Sequence, residues 1–431
     1  MDFISTRNNE QKPDKPLHAS AAILKGLAPD GGLYVPTAYP QLSEGVLAGE
    51  MSYQDTAYQV LKPFFENDPL ENDLKSVCDQ AFDFPVPLHW YNDSQAVLEL
   101  YHGPTAAFKD FGARFLAGAM EKLIAKDDSS LTILVATSGD TGGAVASAYY
   151  GKKNIKVKVL FPEGRVSERQ EKQLICWGGN VEAYAVQGAF DDCQRMVKDA
   201  FMNQEISRQW NLTSANSINL GRLLPQAVYY VYTAIAYQKK TGFKPVFVIP
   251  SGNVGNSIGA HWAKAMGAPI ERIVLAVNAN KTIPDFLNSG NYEPRESIST
   301  LANAMDVGDP SNMERLRYLF PDIKEMRNHV TSYSVSDDQI LSTIEDIWGE
   351  NRYVVCPHTA AGEFVRRNFV PEKHSIVVAT AHPAKFETIV EPVIRQQIAV
   401  PESLSGLLEK EGHAEVITPV MENIFSRFDH S

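Results

Sequence analysis

Cysteine is scarce in this chain of 431 residues, and its four thiols, Cys78, Cys176, Cys193 and Cys356, stand far apart with no CxxC pair among them. That spacing argues against a disulfide frame or a thiolate zinc site and fits a reducing compartment. No uninterrupted apolar stretch reaches the roughly 18 residues a membrane helix needs. The first residues, "MDFISTRNNEQKPDKP", lack the apolar segment of a secretory signal. Basic runs are missing too: 40 Lys and Arg stand against 52 Asp and Glu, a formal charge of −12. A nucleic-acid or anionic-membrane partner is therefore not expected, although a small anionic substrate needs only a local positive pocket. Repeats and low-complexity tracts are absent, which leaves no support for a solenoid or a disordered chain. A cytoplasmic globular protein, most simply an enzyme, is the expectation, with no metal centre.

What is present is alternation. "LTILVA" (131–136), "IKVKVLF" (155–161), "VEAYAV" (181–186), "PVFVIP" (245–250), "RIVLAVN" (272–278) and "SIVVATA" (375–381) are short runs rich in Val and Ile. Runs of this kind suit strands buried on both faces. Helical patterns such as "SERQEKQLICW" and "AFDDCQRMVKDAFMNQ" lie between them. The alternation predicts an α/β fold with largely parallel sheets. The stretch "GLAPDGGLYVPTAYP" reads as a loop leading a small N-terminal domain, and 279–340 as helices and loops, a candidate lid or insertion. The aromatic run "YYVYTAIAY" has helical spacing and reads as core.

Three strands run into unusual loops. "SGNVGNSIGA" (251–260) carries Gly252 and Gly255 before a helical pattern, so its amides would lie at a helix N-terminus, suited to phosphate. "TSGDTGGA" (137–144) repeats that construction. Either loop alone is equally well a capped strand–helix turn, but two of them suggest a ligand, or a ligand pair, with two anionic groups. Neither fits a Walker A or a G-x-G-x-x-G pattern. "TAHPAKF" follows the last strand.

Lys109 sits in the apolar run "YHGPTAAFKDFGARF". An ordinary lysine, with a pKa of ~10.4, holds its proton, so a catalytic amine has to be desolvated. By itself Lys109 is also readable as a helix-start lysine paired with Asp110. Beside two anion cradles it suggests a Schiff base to pyridoxal phosphate, with an amino-acid carboxylate in the second cradle.

"HGPTAAFKD", "ATSGDTGGA", "IPSGNVGN" and "ATAHPAKF", in this order, resemble the threonine synthases of the fold-type-II pyridoxal-phosphate enzymes. "STRN", "GLAPDGGLYVP" and "NSINLGRLLPQ" extend the likeness over nearly the whole chain. The resemblance implies two open parallel-sheet domains with helices on both faces and a small N-terminal domain. Its divisions would be 1–98, then 99–230 with the lysine and a mobile substrate loop, then 231–431 with the phosphate loop. It implies Lys109 as the lysine bonded to pyridoxal 5′-phosphate. It assigns Gly252, Asn253, Val254, Gly255 and Asn256 to the cofactor phosphate and the Thr380 hydroxyl to the pyridine nitrogen. Thr137, Ser138, Gly139 and Thr141 would receive the substrate carboxylate. Asp140 would lie near the cofactor ring, where many relatives have Asn; "SGDTG" resembles the long-chain threonine synthases and is read as subgroup character, although a carboxylate there repels an anionic substrate unless paired or protonated. Asn216, Ser217 and Arg222 would bind the substrate phosphate, for which the planar Arg fork is well matched.

The implied activity is conversion of O-phospho-L-homoserine and water to L-threonine and phosphate by a monomer or homodimer. A serine/threonine dehydratase, a phospholyase or a non-catalytic amino-acid-binding relative is the alternative. His102 reads as a turn residue. Lys385, His382 and Arg7 are open between packing or surface pairing and the site. The abrupt start at "MDFISTRNN" is read as leaving no room for a regulatory N-terminal extension.

Overall fold

The computed structural model describes residues 1–8, 15–127, 129–137 and 139–425. All six expected strands form, and they divide between two sheets. In the first, the order is Glu415–Ile417, Val181–Val186, Ile155–Pro162, Leu131–Ala136 and Leu212–Thr213, with every pair parallel. In the second, it is Val330–Ser334, Arg272–Val277, Val246–Pro250, Ser375–Ala379, Gln95–Glu99 and Leu88–Trp90, parallel except for the last strand. Every residue of Leu131–Ala136, Val246–Pro250 and Ser375–Ala379 is buried. Successive side chains of a strand point to opposite faces, so both faces of each sheet are covered.

Both sheets draw on distant parts of the chain. The strand Gln95–Glu99 spans the 98/99 position, and Glu415–Ile417 joins the sheet otherwise formed by 131–213.

Two sequence expectations are corrected. The stretch 279–340 is not only helices and loops, because Val330–Ser334 pairs in register with Arg272–Val277 from Ile273↔Val330 to Val277↔Ser334. Its sequence, "VTSYS", carries hydroxyls because four of its five residues are only partly buried. The stretch read as a loop after residue 25 contains the strand Tyr34–Pro36, which pairs antiparallel with Asp2–Ser5 in a three-stranded N-terminal sheet.

The N-terminal unit packs on the helix Lys109–Asp127, which is apolar nearly all round, with Phe111, Phe115, Leu116 and Met120 fully buried. Phe82 lies 6.3 Å from Phe111 and 6.2 Å from Phe115, and Phe65 lies 6.1 Å from Phe115, centroid to centroid. This helix touches a second short helix, Leu220–Leu223, at Gly112, where a Cβ would meet the Arg222 carbonyl oxygen at 2.4 Å. Glycine is required there by backbone approach rather than by its dihedral freedom.

Gly112→Ala is expected to lower stability by roughly 1–3 kcal/mol through overpacking. Gly349→Ala, in the helix Asp337–Asn351 with nothing within 4 Å of the added carbon, is expected to be neutral or to stabilise by about 0.5–1 kcal/mol. Urea denaturation of the two variants checks both signs.

Candidate active site

Four loops meet because of the strand orders. In the six-stranded sheet the chain moves outward from Val246–Pro250 through Arg272–Val277 to Val330–Ser334, then returns to place Ser375–Ala379 on the other side. The order therefore reverses between Val246–Pro250 and Ser375–Ala379, and ligands of open α/β sheets lie beyond the carboxyl ends at such a point. The loops there are "SGNVGN" and "TAHPAKF". In the five-stranded sheet the reversal falls between Leu131–Ala136 and Leu212–Thr213, whose following loops are "TSGDTGG" and "SANSINLGR". Residues of all four loops line one cavity of about 360 Å³ that also holds Lys109, within the roughly 300–1,000 Å³ of small-molecule sites.

Lys109 opens the helix Lys109–Asp127, is partly buried and lines this cavity. Burial, with the neighbouring charges of Arg222 and Lys385, outweighs the pull of Asp140 and lowers its amine to about 8. The pairing with Asp110 that the sequence allows does not form. Asp110 instead accepts from the Thr105 amide (2.9 Å) and hydroxyl (2.6 Å), closing the turn before the helix. That turn holds Ala106 at φ 52°, a left-handed value uncommon for a residue with a side chain. It is fastened to the loop after Ser375–Ala379 by Phe108 N to Thr380 O at 2.8 Å and His382 N to Ala106 O at 3.0 Å. Lys109 and Thr380 are thus set by one small antiparallel contact, and Thr380 lines the cavity.

In "TSGDTGG", Thr137, Gly139, Asp140 and Thr141 line the cavity; Ser138 lies outside the described residues. The Thr137 hydroxyl is spent within the loop, accepting from Gly139 N (3.0 Å) and Gly142 N (2.9 Å) and donating to Gly139 O (3.0 Å). Gly139 has φ 147°, and a Cβ there would sit 2.7 Å from Gln170 Nε2. Asp140 is buried and accepts from Lys385 Nζ at 2.7 Å and Gln170 Nε2 at 3.2 Å. Burial alone would raise its carboxyl, but the Lys385 and Lys109 charges and the Lys385 hydrogen bond hold it below the usual carboxylate range. The repulsion expected from a carboxylate at this position is therefore met by pairing.

In "SGNVGN", Gly252 to Asn256 all line the cavity. Val254 adopts φ 64°, an outlier for a β-branched residue, immediately before the helix Gly255–Ala265. That turn directs the first-turn amides, which have no partner within a helix, at the cavity wall. The Asn253 carboxamide is engaged elsewhere, donating to Ser217 Oγ (2.7 Å) and accepting from Ser311 N (2.5 Å). Asn256 Oδ1 accepts from Tyr229 (2.5 Å) and Tyr230 (2.9 Å), while its Nδ2 has no partner.

Asn216, Ser217 and Arg222 line the same cavity. Asn216 Oδ1 and Arg222 Nε are buried without hydrogen-bond partners, and burial lowers the Arg222 guanidinium to about 10. The site therefore combines helix-terminal amides, the unpartnered Asn256 Nδ2 and a buried guanidinium whose Nη1 donates to Ala215 O, donors of a kind that suit anions, beside the acceptor Asn216 Oδ1.

Four other candidates do not line the cavity. His102 is exposed and meets Glu99 at 2.7 Å, Arg7 forms a two-pronged pair with Glu314, His382 accepts from Ala384 N, and Lys385 is fully buried on Asp140. Sequence reasoning missed one wall, Asn303 to Ser311 with His358 behind it. His358 Nε2 accepts from Ala304 N at 3.1 Å, and burial lowers its imidazole to about 4, so it is neutral. No motif marks these residues, because their placement depends on how 279–340 folds.

An enclosed lysine of low basicity between glycine-rich loops, at the switch points of two largely parallel sheets, is the arrangement of an α/β enzyme of the covalent-cofactor class. The comparisons sharpen that class. Residues 96–379 match the pyridoxal-phosphate dependent enzyme family, 2–82 the threonine synthase N terminus and 357–424 the threonine synthase C-terminal region. The chain is 37% identical over 420 residues to the threonine synthase of Haemophilus influenzae, covering 97% of each. A structure of pyridoxal-phosphate-bound threonine synthase from Brucella melitensis superposes with TM-score 0.91 at 34% identity, over 99% of this chain and 98% of that one. The Escherichia coli threonine synthase structure gives 0.90 at 33%, over all of both. The chain belongs to the threonine synthase family of pyridoxal-phosphate dependent enzymes.

Labelling of Lys109 by an amine-reactive reagent in the cofactor-free protein, read by mass spectrometry across pH, should rise through about pH 8 as the free amine appears. An exposed lysine would need a pH near ~10.4. A Lys109 profile that follows the exposed lysines would contradict the burial argument.

Proposed function

We propose that this cavity converts O-phospho-L-homoserine and water into L-threonine and inorganic phosphate, with Lys109 as the amine that moves the protons. The observation that carries the reading is the joining of two anion cradles and one enclosed lysine in a single cavity. A substrate bearing a carboxylate and a phosphate, together with a phosphorylated cofactor, accounts for that much anion-binding capacity.

The residues fit pyridoxal phosphate. The amides of Gly252, Asn253, Val254, Gly255 and Asn256 would hold its phosphate, with the unpartnered Asn256 Nδ2 as a further donor. Thr380 would offer its hydroxyl to the ring nitrogen, and Asp140, kept ionised by Lys385, would stand near the ring. Once bound, the cofactor supplies an electron sink for negative charge developing on the substrate.

The chain's own groups do the rest. Thr141, with Ser138 of the same loop, holds the substrate carboxylate, while Gly139 shapes that loop, its N–H and the Thr137 hydroxyl being bonded to each other. Arg222, Asn216 and Ser217 hold the substrate phosphate. Lys109 Nζ takes protons from Cα and Cβ and returns them to Cγ and Cα. In the balance, the Cγ–O bond to phosphate breaks, Cγ gains the hydrogen that Cβ loses, Cβ takes the hydroxyl of water, and the remaining proton of water leaves on the phosphate. An amine of pKa about 8 suits both directions of transfer near neutral pH.

Purified holoenzyme given O-phospho-L-homoserine should release phosphate and threonine in equal amounts, and Lys109→Ala should abolish both. Ammonia and a keto acid instead would assign a dehydratase or phospholyase. Arg222→Lys keeps the charge but loses the fork, and is expected to raise KM for O-phospho-L-homoserine by about tenfold or more, from the roughly 1.5–3 kcal/mol of a charged hydrogen bond. Affinity for L-homoserine, which lacks the phosphate, should not change. A parallel loss for both would show that Arg222 does not read the phosphate.

A further inference from the structure

Lys385 stands outside the cavity, fully buried, yet two of the four site loops and the turn before Lys109 meet at its ammonium. Its Nζ donates to Asp140 Oδ1 at 2.7 Å in the "TSGDTGG" loop and to Thr105 O at 2.8 Å in the turn that precedes Lys109, while its own backbone belongs to the loop after Ser375–Ala379. Nearby contacts reinforce the junction. Gln170 donates to Asp140, Gln173 reaches Thr105 O at 3.5 Å, and Arg169 donates to Ala384 O at 2.6 Å and pairs with Glu387 at 3.4 Å.

A buried carboxylate seeks a cation, and here two are within its field, Lys385 and Lys109. Coulombic attraction is strong where water is excluded. If Asp140 were left to Lys109, it would stabilise the Lys109 ammonium and remove the free amine. Lys385 occupies the carboxylate directly. We propose that Lys385 is a positioning residue that holds the Asp140 carboxylate on itself, and so keeps the Lys109 amine unpaired and the two loops at fixed spacing. The inference rests on reading Lys109 as the reacting amine, but its test does not use the reaction.

The charged and titratable groups acting on Lys109 are Asp140, Arg222, Lys385 and His358, and Asp306 and Asp309 line the same cavity, burial raising the Asp306 carboxyl to about 6. His358 is neutral above about pH 4, so it does not alter charge in the range tested. Arg222 and Lys385 disfavour the Lys109 ammonium, and Asp140 favours it. Removing Lys385 therefore acts twice in one direction, deleting a repelling cation and releasing an attracting anion.

The test is the pH profile of Lys109 labelling in the cofactor-free protein, with circular dichroism to confirm folding. Lys385→Met should move the midpoint upward by one unit or more. Lys385→Arg should leave it near the wild-type value, and the pair Asp140→Asn with Lys385→Met should bring it back down. Asp140→Asn alone, useful where Lys385→Met does not fold, should move it below the wild-type value. A folded Lys385→Met with an unshifted midpoint, or an Asp140→Asn variant with no downward shift, would overturn the proposal and leave Lys385 a packing residue. Failure of the Lys109 reading is distinguishable, since it would appear as cofactor attached elsewhere while these midpoints still moved as described.

Discussion

A buried amine can serve as a base only if the charges enclosed with it leave it partly neutral, and the rest of this structure is arranged around that condition. Three basic side chains, Lys109, Lys385 and Arg222, stand close to two buried carboxylates, Asp110 and Asp140, while Asp306 and Asp309 line another part of the cavity wall. Each of the first two carboxylates is committed away from Lys109, Asp110 to the Thr105 turn and Asp140 to Lys385. Burial, with the Arg222 and Lys385 charges, then lowers Lys109. Buried ion pairs contribute little net stability; here the pair serves the arrangement of the site.

The two sheets supply the geometry for that balance. Each brings its two ligand loops to its own point of strand reversal, and the cavity lies where the two reversals face each other. The lysine helix joins them. It starts at a turn bonded to the Thr380 loop, packs its aromatic side on the N-terminal unit, and touches the Arg222 helix at Gly112. The strained residues Ala106 and Val254 sit at the entries to the helices Lys109–Asp127 and Gly255–Ala265. Unfavourable backbone at both helix entries is consistent with strain kept where it aims amides and an amine.

Much of this was legible from the sequence. The central strands announced themselves as charge-poor runs of Val and Ile because they are covered on both faces, and the glycine-rich loops stood out because they follow those strands. The edge strand Val330–Ser334 was not legible, since partial exposure lets it carry Ser, Thr and Tyr in place of an apolar run. Side-chain commitments were hidden for a different reason. The Thr137 hydroxyl is consumed by its own turn, and the Asn253 amide by Ser217 and Ser311, partners that only the folded chain brings near. The Asp140–Lys385 pair likewise joins residues on different sheets. A sequence can show that a lone Asp beside an anion site needs a partner, but not which lysine provides it.

The most direct measurement is borohydride reduction of the cofactor-loaded protein followed by peptide mapping. The account predicts a single pyridoxyl-modified residue, Lys109, in the peptide that carries the Thr105 turn. Modification at Lys385 or at another lysine, with Lys109 unmodified, would contradict it.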